Sequence, residues 1–478
     1  MTPYRDMLAP RCTPPGTRGR RVVEVGDLND LTLNQERESW VESLYDVIVV
    51  GNGSAGDNIA RTLGRIGKRV AVVEASHLGG ECLNDGCVPS KALIDISKRA
   101  TRDGMSWDQV VEAIGAIQST VRGSDPDGGM AADGIDLFWG EATFEASTVV
   151  RIGDQVLRAR DVVVATGTAP SLPPIPGLAD AAPLTNRSVF KLRERPRRLA
   201  VIGGGPIGLE LGQSFRRLGS EVTVFEALDR ILSTEDADVS KEMTRLLEEQ
   251  GMQINTAAEI KRIERVDGVV TVTTASGARA FDDILVAAGR RPQIPAGLAD
   301  LGLRLNQRGY VEINGCGRTN LPGLWAAGDV TGKFQFTHYA GYQAHHIARH
   351  IVEGTCAPLP DSLVPWAIFT DPEIGHAGVT EEQARNLSVD IRIAELRAAE
   401  LDWFRTTSQL DGFAKVLAEA STGRIVGAHF ICARASTIVG EAALAIQHKL
   451  TVRDVASTIH PYPTASELFR WACAKLVE

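Results

Sequence analysis

Residues 45–56 read YDVIVVGNGSAG, and they decide the fold. A four-residue apolar run feeds a glycine turn, and a helix-like segment, DNIARTLGRIG, follows. A second apolar run, VAVVE, closes on Glu74, 23 residues after Gly51. Strand, G-x-G-x-x-G, helix, strand and acid make up the dinucleotide-binding pattern. Gly51 permits the tight turn, Gly53 lets the backbone approach a pyrophosphate, and Gly56 lets helix pack closely on strand. The helix N-terminus offers N–H groups and partial positive charge to phosphates. Glu74 stands where a ribose-binding carboxylate is expected.

One such fingerprint is a weak signal, but the arrangement recurs. Residues 199–208 read LAVIGGGPIG, followed by a helix-like LELGQSFRRLG and then VTVFE, ending in Glu226. Gly203, Gly205 and Gly208 hold the three glycine positions, Pro206 and Ile207 open the helix, and Gly203 to Glu226 again spans 23 residues. Each unit has a later echo, an apolar strand that stops at a small-residue turn. These are VVVATGTAP (162–170), with Thr166 and Gly167, and ILVAAGRRP (284–292), with Gly289. The chain is therefore expected to be α/β, with two Rossmann-like domains and one nucleotide in each. Glu226 suits a free ribose 2′-OH and would repel a 2′-phosphate, and no arginine follows until Arg230. NADH is expected in preference to NADPH.

The whole chain sets the limits. Its 478 residues allow about three domains on the usual ~150-residue prior. Hydrophobic residues at 44% and charged residues at 23% support an ordinary core. A net charge of −9 argues against nucleic acid or an anionic membrane as the main partner. No apolar run approaches the roughly 18 residues of a membrane span, so no membrane insertion is expected. Residues 1–43 carry five arginines by position 21, one acid and four prolines there, and no apolar segment of a secretion signal. They read as an irregular extension, and the expected location is cytoplasmic. Seven scattered cysteines, Cys12, Cys82, Cys87, Cys316, Cys356, Cys432 and Cys473, include no C-x-x-C. The odd count and missing export signal make a structural disulfide framework unexpected. The close pair Cys82 and Cys87 suggests redox chemistry, and the other five read as buried or inert thiols.

The pair lies in GGECLNDGCVPSK (79–91), just after Glu74. An apolar, helix-like segment starts near Val88, which puts Cys87 at a helix N-terminus, where a thiolate is stabilised. This stretch resembles the redox-active motif of the class I pyridine nucleotide-disulfide oxidoreductases. That flavoprotein family includes dihydrolipoamide dehydrogenase, glutathione reductase and mercuric reductase, and the resemblance runs over residues 45–478. It implies FAD in the first unit and a Cys82–Cys87 disulfide, with Cys87 against the flavin and Cys82 attacking substrate. It implies an ion pair of Lys91 and Glu210 beside the flavin, Ala142 of GEATF as a backbone contact to adenine, and Asp329 of TNLPGLWAAGDV on the ribityl chain. The helix-like HYAGYQAHHIARHI that follows would favour negative charge on the flavin through its N-terminus. No metal site is expected. The implied layout is FAD-binding over 44–190 and 290–364, NAD(P)-binding over 191–289, and an α+β interface domain over 365–478 that forms a homodimer with shared active sites.

The resemblance breaks at one place. Disulfide-reducing relatives carry His-Pro-Thr-x-x-Glu as acid and base, and here residues 459–467 read IHPYPTASE. Anchoring on His460-Pro461 leaves Glu467 seven residues from the histidine; anchoring on Pro463-Thr464 puts Tyr462 in the base position with Glu467 five residues on. The second register fits both the Pro-Thr pair and the glutamate spacing, and His460 stays a candidate. A tyrosine, with an ordinary pKa of about 10, is a poor proton shuttle at neutral pH, whereas reduction of a bound metal ion needs none. Mercuric reductases also carry tyrosine here, yet they end in a vicinal cysteine pair, and this chain ends WACAKLVE with Cys473 alone. The expected function is NADH-dependent reduction of a soft metal ion or small disulfide. The alternatives are a dihydrolipoamide dehydrogenase-type exchange and, in a different class, a flavin-bound redox sensor.

Overall fold

The computed structural model describes residues 44–477 apart from 101, 125, 126 and 360–362. The extension expected over 1–43, with Cys12, lies outside the described residues. Strand Leu44–Val50 sits centrally in the first sheet, between Val70–Glu74, with which it runs parallel, and Gln155–Val164. Ile135–Trp139 extends the parallel side. Gln155–Val164 also pairs with two further strands. It pairs antiparallel with Val149–Ile152 through its first residues and parallel with Leu324–Ala326 through its last.

The apolar run of the central strand is continuous because both its faces are covered. Val47 and Val49 face helix Ser54–Arg65, through Ala55, Ile59 and Leu63, and helix Thr337–Glu353, through Ala344 and Ile347. Ile48 and Val50 face the other side, against Phe144, Val150 and Leu157. Each fully buried aliphatic side chain of this kind contributes roughly 1.5–3 kcal/mol relative to exposure.

The second sheet is wholly parallel, in the order Gln253–Asn255, Glu221–Phe225, Arg198–Ile202, Asp283–Val286. An antiparallel meander, Ile260–Val266, Val269–Thr274 and Gly277–Phe281, covers one face through Ile263, Val270 and Phe281. Helices Pro206–Arg217 and Ala237–Glu249 cover the other. The third sheet is antiparallel, in the order Trp366–Ile368, Glu373–Gly378, Ile425–Cys432, Phe413–Glu419, Ile391–Arg397. Helices Ala435–Gln447 and Glu467–Ala474 pack on it.

Two features place the site. The echo strands Thr168–Pro170 and Arg290–Pro292 pair with each other, so the two nucleotide units are stitched together at their ligand-facing turns. One apolar cluster then runs from helix Cys87–Ala100 (Leu93, Ile96) through helix Pro206–Arg217 (Leu209, Phe215) to Ile368 and Ile374 of the third sheet. The cysteine-bearing helix is thus held against the second unit. Among the described residues no helix is long and apolar enough to cross a membrane.

Candidate active site

The two glycine turns are near copies in space. Gly51 has φ +98° and Gly203 φ +107°, and a Cβ on either would fall 2.6 Å from a backbone oxygen, that of Ala165 or Ala287. A Cβ on Gly56 or Gly208 would strike the oxygen of Gly51 or Gly203, at 1.9 and 2.1 Å. The middle glycines differ in kind: a Cβ on Gly53 or Gly205 would meet nothing within 4 Å. Both cap their helices with no side-chain hydrogen bond, so the N–H groups of the first turns (from Ile207 on in the second, since Pro206 has none) are open to an anion. The protein itself needs the outer glycines; the middle ones leave room for a ligand. This fits a pyrophosphate at each turn.

The acids at the strand ends do something that sequence reasoning missed. Glu74 Oε2 accepts from the N–H of Asn52 at 2.8 Å, and Glu226 Oε2 accepts from the N–H of Gly204 at 2.6 Å. Their other oxygens accept from Ser76 (2.7 Å) and Leu228 (2.8 Å). Each carboxylate therefore braces its own glycine turn while keeping lone pairs for a ribose hydroxyl.

Cys87 is the first residue of its helix, as expected, and Cys82 lies on the short helix Gly80–Asn84. Both are thiols here, Cys87 exposed and Cys82 partly so. The hydrogen bond from Cys82 is the main cause that lowers the Cys87 pKa to about 6; the Thr337 hydroxyl, 3.4 Å from Cys87 Sγ, and the Lys91 charge assist, while burial and Glu210 oppose. Cys82 moves the opposite way, pushed up by its hydrogen bond to Cys87 and by burial. The shifts favour the thiolate at Cys87 and the thiol at Cys82.

Lys91 Nζ and Glu210 Oε2 meet at 2.7 Å, joining the cysteine helix to the second unit's first helix. Glu210 Oε1 also accepts from the Phe369 N–H at 2.9 Å, and the ammonium lies 4.5 Å from the Phe369 ring centre. Asp329 is the second residue of the short 3-10 turn Gly328–Thr331; burial raises its pKa, opposed by the charge of Arg290 and a 3.4 Å hydrogen bond from Thr168. Such a carboxylate has capacity for hydroxyl donors, as a ribityl chain would supply. Ala142 is buried beyond Gly140, whose N–H donates to Glu74 O at 2.9 Å. Gln293 ties the echo turns, with its N–H donating to Gly167 O at 3.1 Å and its carbonyl accepting from the Thr166 hydroxyl at 2.5 Å. Gly289 accepts from the Ser171 N–H at 3.0 Å.

Further residues steady the cysteine loop, and the sequence did not single them out. Glu81 pairs with Arg290, lies 3.5 Å from Arg187 and accepts from Asn186 at 2.8 Å. Lys191 reaches Asp85 at 3.1 Å. The signal was adjacency alone, Glu81 beside Cys82 and Arg290 beside Gly289.

The C-terminal candidates are not brought to the cysteines within one protomer by any hydrogen bond among the described residues. Tyr462 is 71% exposed and donates to Asp402 at 2.9 Å, which raises its pKa. His460 Nε2 lies 2.8 Å from Glu441, and Glu467 is buried, accepting from the Thr464 N–H at 3.2 Å. Cys432 and Cys473 are buried thiols with pKa values raised by burial, as expected of inert thiols. One expectation is corrected. Cys316 and Cys356 are not inert thiols but a disulfide, with Cα atoms 5.4 Å apart and a sequence separation of 40. The fold brings the turn at 314–318 against the segment after helix Thr337–Glu353, an encounter that spacing along the chain does not encode.

Two dinucleotide cradles, a cysteine pair at a helix N-terminus and a separate antiparallel domain define a flavin- and pyridine nucleotide-dependent dithiol enzyme. Residues 45–344 match the pyridine nucleotide-disulphide oxidoreductase profile, and residues 364–473 match the dimerisation domain of the same name. The chain belongs to this family of flavoprotein disulfide oxidoreductases, and the second match supports a homodimer. It is 32% identical to a dihydrolipoyl dehydrogenase of Chlamydia trachomatis, covering 91% of this chain and 96% of that one. It is also 32% identical to a mercuric reductase of Lysinibacillus sphaericus, covering 93% and 84%. Among solved structures it resembles the Cu(II) complex of the HOCl-induced flavoprotein disulfide reductase RclA from Escherichia coli, with TM-score 0.84, 28% identity, and 91% and 100% of the two chains covered.

Proposed function

We propose that the protein is an NADH-dependent reductase that passes electron pairs through Cys82 and Cys87 to a soft metal ion, or to an atypical small disulfide. When bound, FAD and the nicotinamide supply hydride transfer and deliver two electrons to the disulfide. FAD is held by the turn at Gly51, Gly53 and Gly56 with Glu74, Ala142, Thr166, Gly167 and Asp329. NADH is held by Gly203, Gly205, Pro206, Ile207, Gly208 and Glu226, with Gly289 at the edge. Lys91, neutralised by Glu210, sets the charge beside the flavin. Cys87 is the inner sulfur and Cys82 the one that meets the acceptor.

The observation that carries the acceptor class is Tyr462. Its hydroxyl already donates to Asp402, and that carboxylate raises its pKa further, which makes it a poor proton donor or acceptor at neutral pH. A disulfide acceptor needs its leaving thiolate protonated; a metal ion does not. Two cupric ions take one electron each from the reduced pair of one thiolate and one thiol, which closes to the disulfide and releases its one proton. The Cu(II) complex of the structurally similar reductase agrees with this class. Shared active sites across the homodimer would bring Tyr462, His460 and Glu467 of one protomer towards the cysteines of its partner.

A second reading, dithiol exchange with a lipoamide-like substrate, is favoured by the His460–Glu441 pair at 2.8 Å. Anaerobic NADH oxidation by the FAD-loaded protein separates the two. Turnover with cupric or mercuric ion, lost in Cys82→Ser, is expected. Rapid turnover with lipoamide and none with either metal would make His460 the working base and overturn the metal reading.

A further inference from the structure

Thr337, whose hydroxyl lies 3.4 Å from Cys87 Sγ, sits between two aromatic rings that are themselves anchored far away. Phe336 and His338, on either side of it, stack at 5.3 Å with 16° between planes. Phe336 stacks in turn on Trp366 at 5.7 Å and 16°, and Trp366 stacks on His376 at 3.5 Å and 13°. Beneath the stack is Glu235, wholly buried. One of its oxygens accepts from Trp366 Nε1 at 2.6 Å and the other lies 2.8 Å from His376 Nδ1. His376 Nε2 lies 3.1 Å from Gly378 O, so both ring nitrogens face oxygen acceptors. His338 Nε2 meets Pro365 O at 2.8 Å, which closes the arrangement back onto the residue before Trp366. Ser54 donates to Thr337 O at 3.0 Å from the first unit's helix.

We propose that Trp366 and Phe336 are positioning residues for the redox site: their stack, footed on Glu235 and His376, holds the Thr337 hydroxyl against the Cys87 sulfur. Three elements converge to do this. Glu235 comes from the segment before helix Ala237–Glu249 of the second unit. Trp366 and His376 come from the antiparallel sheet, and Phe336 and Thr337 from the entry to helix Thr337–Glu353. The foot is not itself a cation site. Glu235, His376 and His429 bring donor atoms within 4.8 Å, but the Glu235 and His376 atoms are already engaged, and Lys415 lies 3.2 Å from the adjacent Asp236. The inference rests on the reading of Cys87 as the sulfur against the flavin.

The test uses FAD-loaded Cys82→Ser protein, in which a lone Cys87 thiolate beside oxidised flavin gives a long-wavelength charge-transfer absorbance that titrates with pH. The other charges facing Cys87, those of Lys91 and Glu210, stay constant through the series. Thr337→Val should raise the midpoint by about one pH unit, a tenfold loss of thiolate at a given pH. Trp366→Ala and the milder Phe336→Leu should each raise it by about half a unit, a threefold loss, while Trp366→Phe, which keeps a stacking ring, should leave it in place. A structural role alone would lower thermal stability in Trp366→Ala without moving the midpoint, and that result overturns the proposal. So does a midpoint unmoved in Thr337→Val. Absence of the absorbance at every pH in the Cys82→Ser parent would instead refute the assignment of Cys87, and the inference with it.

Discussion

Gly205 and Gly208 stand three residues apart in one fingerprint, and alanine at each separates contact with a ligand from packing within the chain. At Gly205 the backbone has φ −81° and ψ −179°, which any residue adopts, and an added Cβ meets nothing within 4 Å. The chain should accept Gly205→Ala freely, gaining about 0.4–1 kcal/mol because alanine narrows the unfolded ensemble. The same methyl projects into the approach of the nucleotide phosphates, so NADH affinity should fall at least tenfold, about 1.4 kcal/mol. At Gly208 the ordering reverses. The Cβ would lie 2.1 Å from Gly203 O and 3.2 Å from Val201 Cγ1, so helix Pro206–Arg217 must move off its strand. Overpacking of this kind costs about 1–3 kcal/mol, against which a helix gains up to about 1 kcal/mol from replacing glycine by alanine. Thermal unfolding followed by circular dichroism reads the first quantity, and quenching of intrinsic fluorescence on NADH titration reads the second. Parent NADH affinity in Gly205→Ala, or equal destabilisation by the two substitutions, would refute the division of roles.

Glu226→Ala should weaken NADH more than NADPH, lowering the preference about tenfold or more, because a carboxylate suited to the 2′-OH is lost and its repulsion of a 2′-phosphate goes with it; equal losses for both nucleotides in steady-state KM would undo the cofactor assignment. Cys356→Ser, at an exposed position, opens a loop that spans 40 residues. The chain-entropy estimate for such a loop is about 4 kcal/mol, so the variant should unfold at lower temperature and match the parent held in reductant; a variant as stable as the oxidised parent would show that the bridge is dispensable.

The parts legible in the sequence were those where the backbone leaves one choice of residue. Gly51, Gly56, Gly203 and Gly208 are forced by backbone atoms that a Cβ would strike, so their spacing is visible without coordinates. Cys87 was legible for a related reason: a helix N-terminus is signalled locally, and the structure starts the helix there. What stayed hidden depends on distant segments meeting. Glu74 and Glu226 were legible as acids at strand ends, but their hold on the N–H groups of Asn52 and Gly204 needs the turn folded back beside them. The Cys316–Cys356 bridge, the Glu81–Arg290 pair and the Glu235–His376–Trp366 stack join stretches 40 to 209 residues apart, and no local pattern marks either end.

The proton balance of the cysteine pair connects these observations to the acceptor. The hydrogen bond between them draws Cys87 towards its thiolate and Cys82 towards its thiol, which favours a reduced pair with one proton, on Cys82. Under the proposed assignment, in which the acceptor arrives at Cys82, that proton must be removed before sulfur can donate. For a disulfide acceptor, a histidine would both take this proton and return it to the leaving thiolate. Tyr462, engaged with Asp402, is suited to neither step near neutral pH. A soft cation needs no such partner, because a metal competes directly with the proton for sulfur and releases it to solvent on binding. On this proposal a Cys82 thiol that keeps its proton until a metal displaces it would also be guarded against adventitious oxidation, since reactivity follows the thiolate fraction. The residue that departs from the disulfide-reducing pattern and the uneven sharing of one proton both support the proposed metal acceptor, one at the C-terminal loop and one at the cysteines.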